Sequence, residues 1–162
     1  MGIFINRGNL DFTEARNSEY VDKSGLIAVV NKTLFTRQKF SCVTRCRRFG
    51  KSMAAQMLCA YYDDSCDSRS LFADLKIAQD ASFEKHLNKY PVIYLDMTDF
   101  ITRYKNDDGI VGHIDREVRA DIQTAFPEVP SEEGDDLMAL LLRIVLKTGK
   151  PFFFIIDEWD AI

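Results

Sequence analysis

The sequence predicts an α/β fold in which a parallel sheet forms the middle of three layers, with helices on both of its faces. Three observations carry this. Short apolar runs stand at Phe40–Thr44, Val92–Asp96 and Phe152–Ile156, the last apolar at consecutive positions, as in a strand covered on both sides. Segments with helical apolar spacing lie between these runs, and strands that alternate with helices join into a parallel sheet through crossovers. The composition, 162 residues with 46% apolar and 28% charged, is that of one globular domain able to bury a core without disulfides or a structural metal.

Each element has its own signal. After Ser24, residues Leu26, Ile27, Val29, Val30 and Leu34 form a broad apolar stripe. The strand Phe40–Thr44 follows, and then Met53, Ala54, Met57, Leu58 and Tyr61 fall on one face of a helix starting near Gly50. A short helix is expected over 81–89, ahead of the strand Val92–Asp96. Val111, Ile114, Val118, Ile122 and Ala125 step by three and four, and Leu137, Leu140, Leu141, Ile144 and Val145 do the same. This last helix has Asp135 and Asp136 at its positive end, Lys147 in its last turn, and Gly149 and Pro151 as stops. Loops are expected at 63–70, 105–109 and 127–136, where turn formers and charges cluster. Residues 1–36 are expected to be an N-terminal extension packing on a partial core formed by 37–162.

The net charge of −4 gives no general attraction to phosphate backbones or anionic membranes, so an anion site has to be built locally. No apolar run approaches the roughly 18–20 residues that span a bilayer, and the N-terminus lacks the order of a secretory leader. The expectation is a cytoplasmic protein without a membrane partner. Cys42, Cys46, Cys59 and Cys66 form no CxxC pair and, with only His86 and His113, make no zinc spacing. They read as buried thiols, and the two histidines as structural or exposed.

The first chemical motif is RCRRFGKS, Arg45 to Ser52, which ends in the GK[ST] of a phosphate-binding loop. Placed between a strand and a helix, Gly50 permits close backbone approach, and the helix N-terminus turns its amides and positive dipole end toward an anion. Lys51 would reach the β- and γ-phosphates, and the Ser52 hydroxyl would bind magnesium. A bare GK[ST] arises by chance about once in a dozen chains of this length, so its position carries the weight. The pattern is also incomplete, because Arg45 stands where the full loop has glycine. A helix-capping turn on a basic surface would explain the same residues. Arg47 and Arg48 add guanidinium groups suited to phosphate oxygens, although either could pair with a neighbouring acid. The expected nucleotide contacts are Arg47, Arg48, Phe49, Gly50, Lys51, Ser52 and Met53.

The second motif is FFFIIDEWD, Phe152 to Asp160, an apolar strand ending in adjacent carboxylates, the Walker B form. Here Asp157 would hold magnesium through water, sharing it with Ser52, and Glu158 would polarise the attacking water. Lys51 and Glu158 are thus the expected catalytic residues, and Ser52 and Asp157 the metal ligands. Ligands collect at the carboxyl ends of parallel strands, which is where both motifs would emerge. Phe152 to Phe154 read as core, Trp159 as packing, and Asp96 as a solvated strand end at the same sheet edge.

YVDKSGLI at 20–27, RCRRFGKS at 45–52, SLFADLKI at 70–77 and IIDEWD at 155–160 together resemble the bacterial AAA-ATPase-like family of the P-loop NTPase superfamily. The resemblance covers essentially the whole chain. The family loop typically reads RPRRFGKS, so Arg45 matches it and Cys46 departs from the usual proline. The resemblance implies a P-loop NTPase core that binds ATP and Mg2+, with Tyr20 to Lys23 near the nucleotide. Capping by Asp22 or Ser24 would explain part of that segment equally. Family members often carry a further domain resembling restriction-type nucleases, which is the one reason to consider a nucleic-acid partner.

The sequence ends five residues after Asp157. The core is therefore expected to be incomplete, lacking C-terminal strands, as an N-terminal fragment of a larger ATPase. Hydrolysis is expected in the parent and weak or absent in the fragment. An exposed strand edge would permit a homodimer. The alternative function is a non-hydrolysing nucleotide-sensing or protein-interaction module.

Overall fold

A computed structural model of the chain describes residues 2–44, 46, 48–105, 109–132 and 134–161. The chain forms two compact units, residues 8–89 and residues 1–7 with 90–162. The expected site residue Arg47 lies outside the described residues, as do Arg45, most of the 105–109 loop and Glu133.

In the unit 8–89, three longer helices appear: α1 (Leu10–Arg16), α2 (Gly25–Thr33) and α3 (Lys51–Tyr62). They are joined by two single-turn helices, α4 (Arg69–Phe72) and α5 (Phe83–His86), with a 3-10 turn at Lys76–Gln79 between them. The apolar faces of α2 and α3 bury Ile27, Val30, Ala54, Met57 and Tyr61, as their spacing requires. Aromatic rings complete this core: Phe12 stacks on Phe72 at 5.1 Å, and Tyr61 meets Phe72 edge-on at 5.5 Å. A buried amide ties the helices together. Asn31 on α2 donates to Ser82 Oγ (2.8 Å) and Tyr61 Oη (3.2 Å) and accepts from Tyr62 Oη (2.6 Å). The carboxylate of Asp63, fully buried at the end of α3, accepts from the amides of Gly8 and Ser65.

In the other unit, β1 (Val92–Asp96) leads through α6 (Met97–Arg103), α7 (Ile110–Ala125) and α8 (Leu137–Thr148) to β2 (Phe153–Asp157), which ends in a 3-10 turn at Trp159–Ala161. β1 and β2 are parallel, with Val92 opposite Phe153 and Asp96 opposite Asp157. Ile93 and Leu95 pack with Val118, Ile122, Leu140, Leu141 and Ile144 from α7 and α8. Asp136 caps α8 by accepting from Ala139 N, and Gly149 ends it at φ 70°. The N-terminal residues run against the other side of β1: Tyr94 N donates to Phe4 O (2.8 Å) and Asn6 N to Val92 O (2.9 Å). Asp121 on α7 anchors this segment by accepting from the amides of Phe4 and Ile5.

The α/β class and the strands at 92–96 and 153–157 agree with expectation, the latter shifted by one residue. The strand expected at Phe40–Thr44 does not form. Its residues join no ladder and lie exposed, Phe40 at 87% and Val43 at 41%. A strand has no stability apart from the neighbour that pairs with its backbone, and among the described residues the sheet holds only β1 and β2. The same exposure overturns the buried-thiol reading for Cys42 and Cys46, while Cys59 is buried and Cys66 partly so. The helix expected over 81–89 shrinks to one turn, because Leu87 is extended and Asn88 turns left-handed at φ 53°. The α6 helix was not foreseen, nor was α1. No helix among the described residues is long and apolar enough to cross a membrane.

Asn31→Ala should lower stability by about 1–3 kcal/mol, since it removes the three hydrogen bonds by which the amide holds Tyr61, Tyr62 and Ser82 in the unit that carries α3. Urea unfolding measures this, and a loss below about 0.5 kcal/mol would show that the network contributes little.

Candidate functional site

The first half of the expected site lies where α3 begins. Gly50 is the N-cap of this 12-residue helix and sits at φ 73°, a left-handed conformation that glycine adopts without penalty. Arg48 is also left-handed, at φ 67°, so the chain from 48 to 50 turns sharply into the helix. The first intrahelical bond runs from Ala54 N to Gly50 O (3.1 Å), so the amides of residues 51–53 precede it, and the glycine cap has no side chain to hold them. Lys51 and Met53 are half-buried, while Arg48, Phe49 and Ser52 are exposed. The structure thus brings Arg48, Phe49, Gly50, Lys51, Ser52 and Met53 together around one helix N-terminus. An anion placed there would meet backbone donors and the positive end of the helix dipole.

A further cation reaches this turn. Lys23 Nζ donates to Phe49 O at 2.5 Å and occupies the space a side chain at Gly50 would enter. Of the 20–23 segment, Lys23 therefore touches the loop, while Tyr20 Oη donates to Met57 Sδ on α3 (3.3 Å). Asp22 accepts from Ser24 N (2.8 Å) and Lys76 N (3.0 Å), and Ser24 Oγ accepts from Ile77 N (3.1 Å). These two side chains bind the segment to the 76–79 turn instead of capping α2. Partial burial alone would raise the Asp22 carboxyl, but its bonds to Ser24 and Lys76 outweigh this and hold it below the ordinary carboxylate value.

The second half lies at the carboxyl end of β2. Asp157 is buried, with 7% of its surface exposed, and both of its oxygens have partners. Tyr94 Oη on β1 donates to Oδ2 (3.1 Å), and Glu158 N donates to Oδ1 (3.0 Å). Glu158 is left-handed at φ 51° and partly exposed. Such a conformation costs a non-glycine residue about 1–2 kcal/mol, and here it ends the strand and folds the amide back onto Asp157. Burial, followed by the neighbouring Asp157 carboxylate, pushes the Tyr94 phenol far above its usual value, so it remains a donor throughout the neutral range. The Arg7 guanidinium lies 4.7 Å from the centre of the Tyr94 ring. A carboxylate oxygen with one hydrogen bond keeps a lone pair for a further donor.

Tyr94 and Arg7 escaped the sequence reading. The available signal was a phenol on an otherwise aliphatic buried strand, since a buried hydroxyl needs a partner. Asp96 stands opposite Asp157 but caps α6 by accepting from Thr98 N (2.9 Å). Trp159, expected to pack, is 57% exposed, and Phe154, expected in the core, is 48% exposed. His113 stacks on Tyr104 at 3.7 Å, and buried His86 is held below the ordinary histidine value by burial and then by Lys85. Among the described residues no three metal-ligating side chains cluster.

The model of one family, described as Predicted AAA-ATPase, matches residues 8–162, and the chain belongs to this AAA-ATPase-like family. No match was found among curated proteins or solved structures.

The Tyr94–Asp157 bond should contribute about 1–2 kcal/mol of coupling in a double-mutant cycle of Tyr94→Phe and Asp157→Ala followed by urea unfolding. A cycle that closes to zero would show that the two groups do not interact.

Proposed function

We propose that this chain is a nucleotide-binding ATPase domain that takes Mg-ATP. The observation that carries the reading is the left-handed Gly50 turn, which presents the amides of residues 51–53 and the Lys51 side chain at the start of a 12-residue helix. A polyphosphate is the ligand class that such an arrangement suits. In this reading Arg47 and Arg48 add charge along the phosphates, and Lys51 follows the β- and γ-phosphates. Phe49, Gly50 and Met53 complete the lining. Ser52 and Asp157 are the proposed magnesium ligands, and the ion, when bound, would neutralise charge on the phosphate oxygens. Glu158 is proposed to accept a proton from, or polarise, the water that attacks the γ-phosphate. Tyr94 and the Glu158 amide keep the Asp157 carboxylate in one orientation.

The fold proposed to surround these groups is the three-layer P-loop core, with which the α/β class and the parallel pair β1–β2 are compatible.

Lys51→Ala should abolish the heat of Mg-ATP binding in titration calorimetry while the melting temperature stays unchanged. Wild-type protein that gives no heat would remove the nucleotide reading and leave the interaction-module alternative.

In the longer parent, where hydrolysis is expected, Glu158→Gln should keep Mg-ATP affinity within about twofold and reduce turnover by at least about a hundredfold. Undiminished phosphate release by the variant would remove Glu158 from the chemical step.

A further inference from the structure

The contact between Lys23 and the loop turn has a direct stereochemical consequence. A trans peptide unit points its C=O and its N–H in opposite directions. The carbonyl of Phe49 and the amide of Gly50 belong to one such unit, and Lys23 Nζ grips the carbonyl at 2.5 Å. The Gly50 N–H is therefore turned away from Lys23. It comes one residue before the first-turn amides of α3.

This peptide needs a latch because of the residue that follows it. A peptide flip changes ψ of Phe49 and φ of Gly50, and glycine accepts either hand with nearly equal ease. A side chain at Gly50 would be strained at φ 73° and would push the Lys23 ammonium away from the carbonyl it holds. The latch itself is anchored. Lys23 O accepts from Leu26 N (3.0 Å) in the opening turn of α2, and the flanking Asp22 is bound to Ser24 N and Lys76 N.

We propose that Lys23 is a positioning residue for the polyphosphate: it fixes the Phe49–Gly50 peptide so that the Gly50 amide joins those of residues 51–53 as a preset donor. The inference rests on the nucleotide reading given above. Lys23 also covers the negative end of the Phe49 carbonyl, which an anion would otherwise meet if the peptide turned over. Acting through the peptide, Lys23 serves diphosphate and triphosphate alike.

Two measurements test this in the 162-residue chain. In nucleotide-free protein, the Gly50 amide resonance should move in Lys23→Met and stay in place in Lys32→Met, an exposed control on α2. In calorimetry, Lys23→Met should weaken Mg-ADP and Mg-ATP by a similar factor, about tenfold or more, as for the loss of one hydrogen bond to a charged group. Lys23→Arg should restore most of the affinity, because a guanidinium can still donate to the carbonyl. Lys23→Gln, uncharged and shorter, should fall between. The melting temperature of each variant shows that the losses do not come from unfolding.

Wild-type affinity in Lys23→Met would overturn the proposal. So would a loss confined to ATP, which would indicate a direct γ-phosphate contact, or an unmoved Gly50 resonance. If Lys51→Ala binds as wild type does, or wild type binds no nucleotide, the nucleotide reading fails and the phosphate role of Lys23 with it. The nucleotide-free spectrum then still reports whether the latch exists.

Discussion

The backbone at Gly50 is the constraint on which the rest of the candidate site depends. Its left-handed φ of 73° bends the chain into α3, and the lack of a side chain leaves room for the Lys23 ammonium. Any L-residue would face the conformational penalty and would displace the ammonium. The requirement extends into the core, because α3 can hold its N-terminus in place only if the rest of the helix is immobile. Met57, Tyr61 and Tyr62 supply that immobility through complete burial, with Asn31 and Phe83 O bonded to the tyrosine hydroxyls and Asp63 accepting from Gly8 N at the end of the helix.

The acidic strand end follows a different logic. Parallel pairing in register places Asp96 and Asp157 at the same edge, but the two carboxylates have different surroundings. Asp96 spends an oxygen on the first turn of α6, whereas Asp157 is covered and held by a phenol and by the amide of the next residue. A buried carboxylate held from two sides keeps a narrow range of orientations. The left-handed Glu158 is the local cost of that arrangement, and it sits where strain is often kept, beside chemistry-bearing residues.

Elements with long, strongly periodic apolar faces were legible in the sequence. α7 and α8 appear within a few residues of expectation, with the Asp136 cap and the Gly149 stop both in use. The loop turn was legible because Gly-Lys-Ser before an amphipathic segment has a physical meaning of its own. What could not be read depends on tertiary partners. Helix α1 has a single buried residue, Phe12, and no periodic stripe to reveal it. The Lys23–Phe49 contact joins residues 26 positions apart, and Tyr94–Asp157 joins residues 63 apart. Local spacing contains neither. Phe40–Thr44 failed for the converse reason: its apolar composition met the local requirement for a strand, and pairing, the non-local one, was not met.

The run Phe153–Asp157 shows how far local composition and local packing can diverge. Without alternation of polar residues, it has the character of a strand with cover on both faces and a neighbour on each side. In the structure, Phe153 N donates to Pro91 O on the β1 side, so the amides of Phe154 and Ile156 point to the other edge, where no strand pairs among the described residues. The side chains of Phe154 and Ile156 share one face of the strand, and that face is poorly covered, at 48% and 51% exposed. At about 25 cal/mol per Å2, apolar surface left in water forgoes stabilisation that the same residues would give if covered. Natural edge strands usually carry a charge, a proline or a bulge against unwanted pairing, and Phe154–Ile156 has none of these. The strand is thus held chiefly by its pairing with β1, and its apolar character exceeds what that contact uses. The position of Asp157 does not suffer from this, because the register that fixes it is set on the β1 side, where Tyr94 reaches across to its carboxylate.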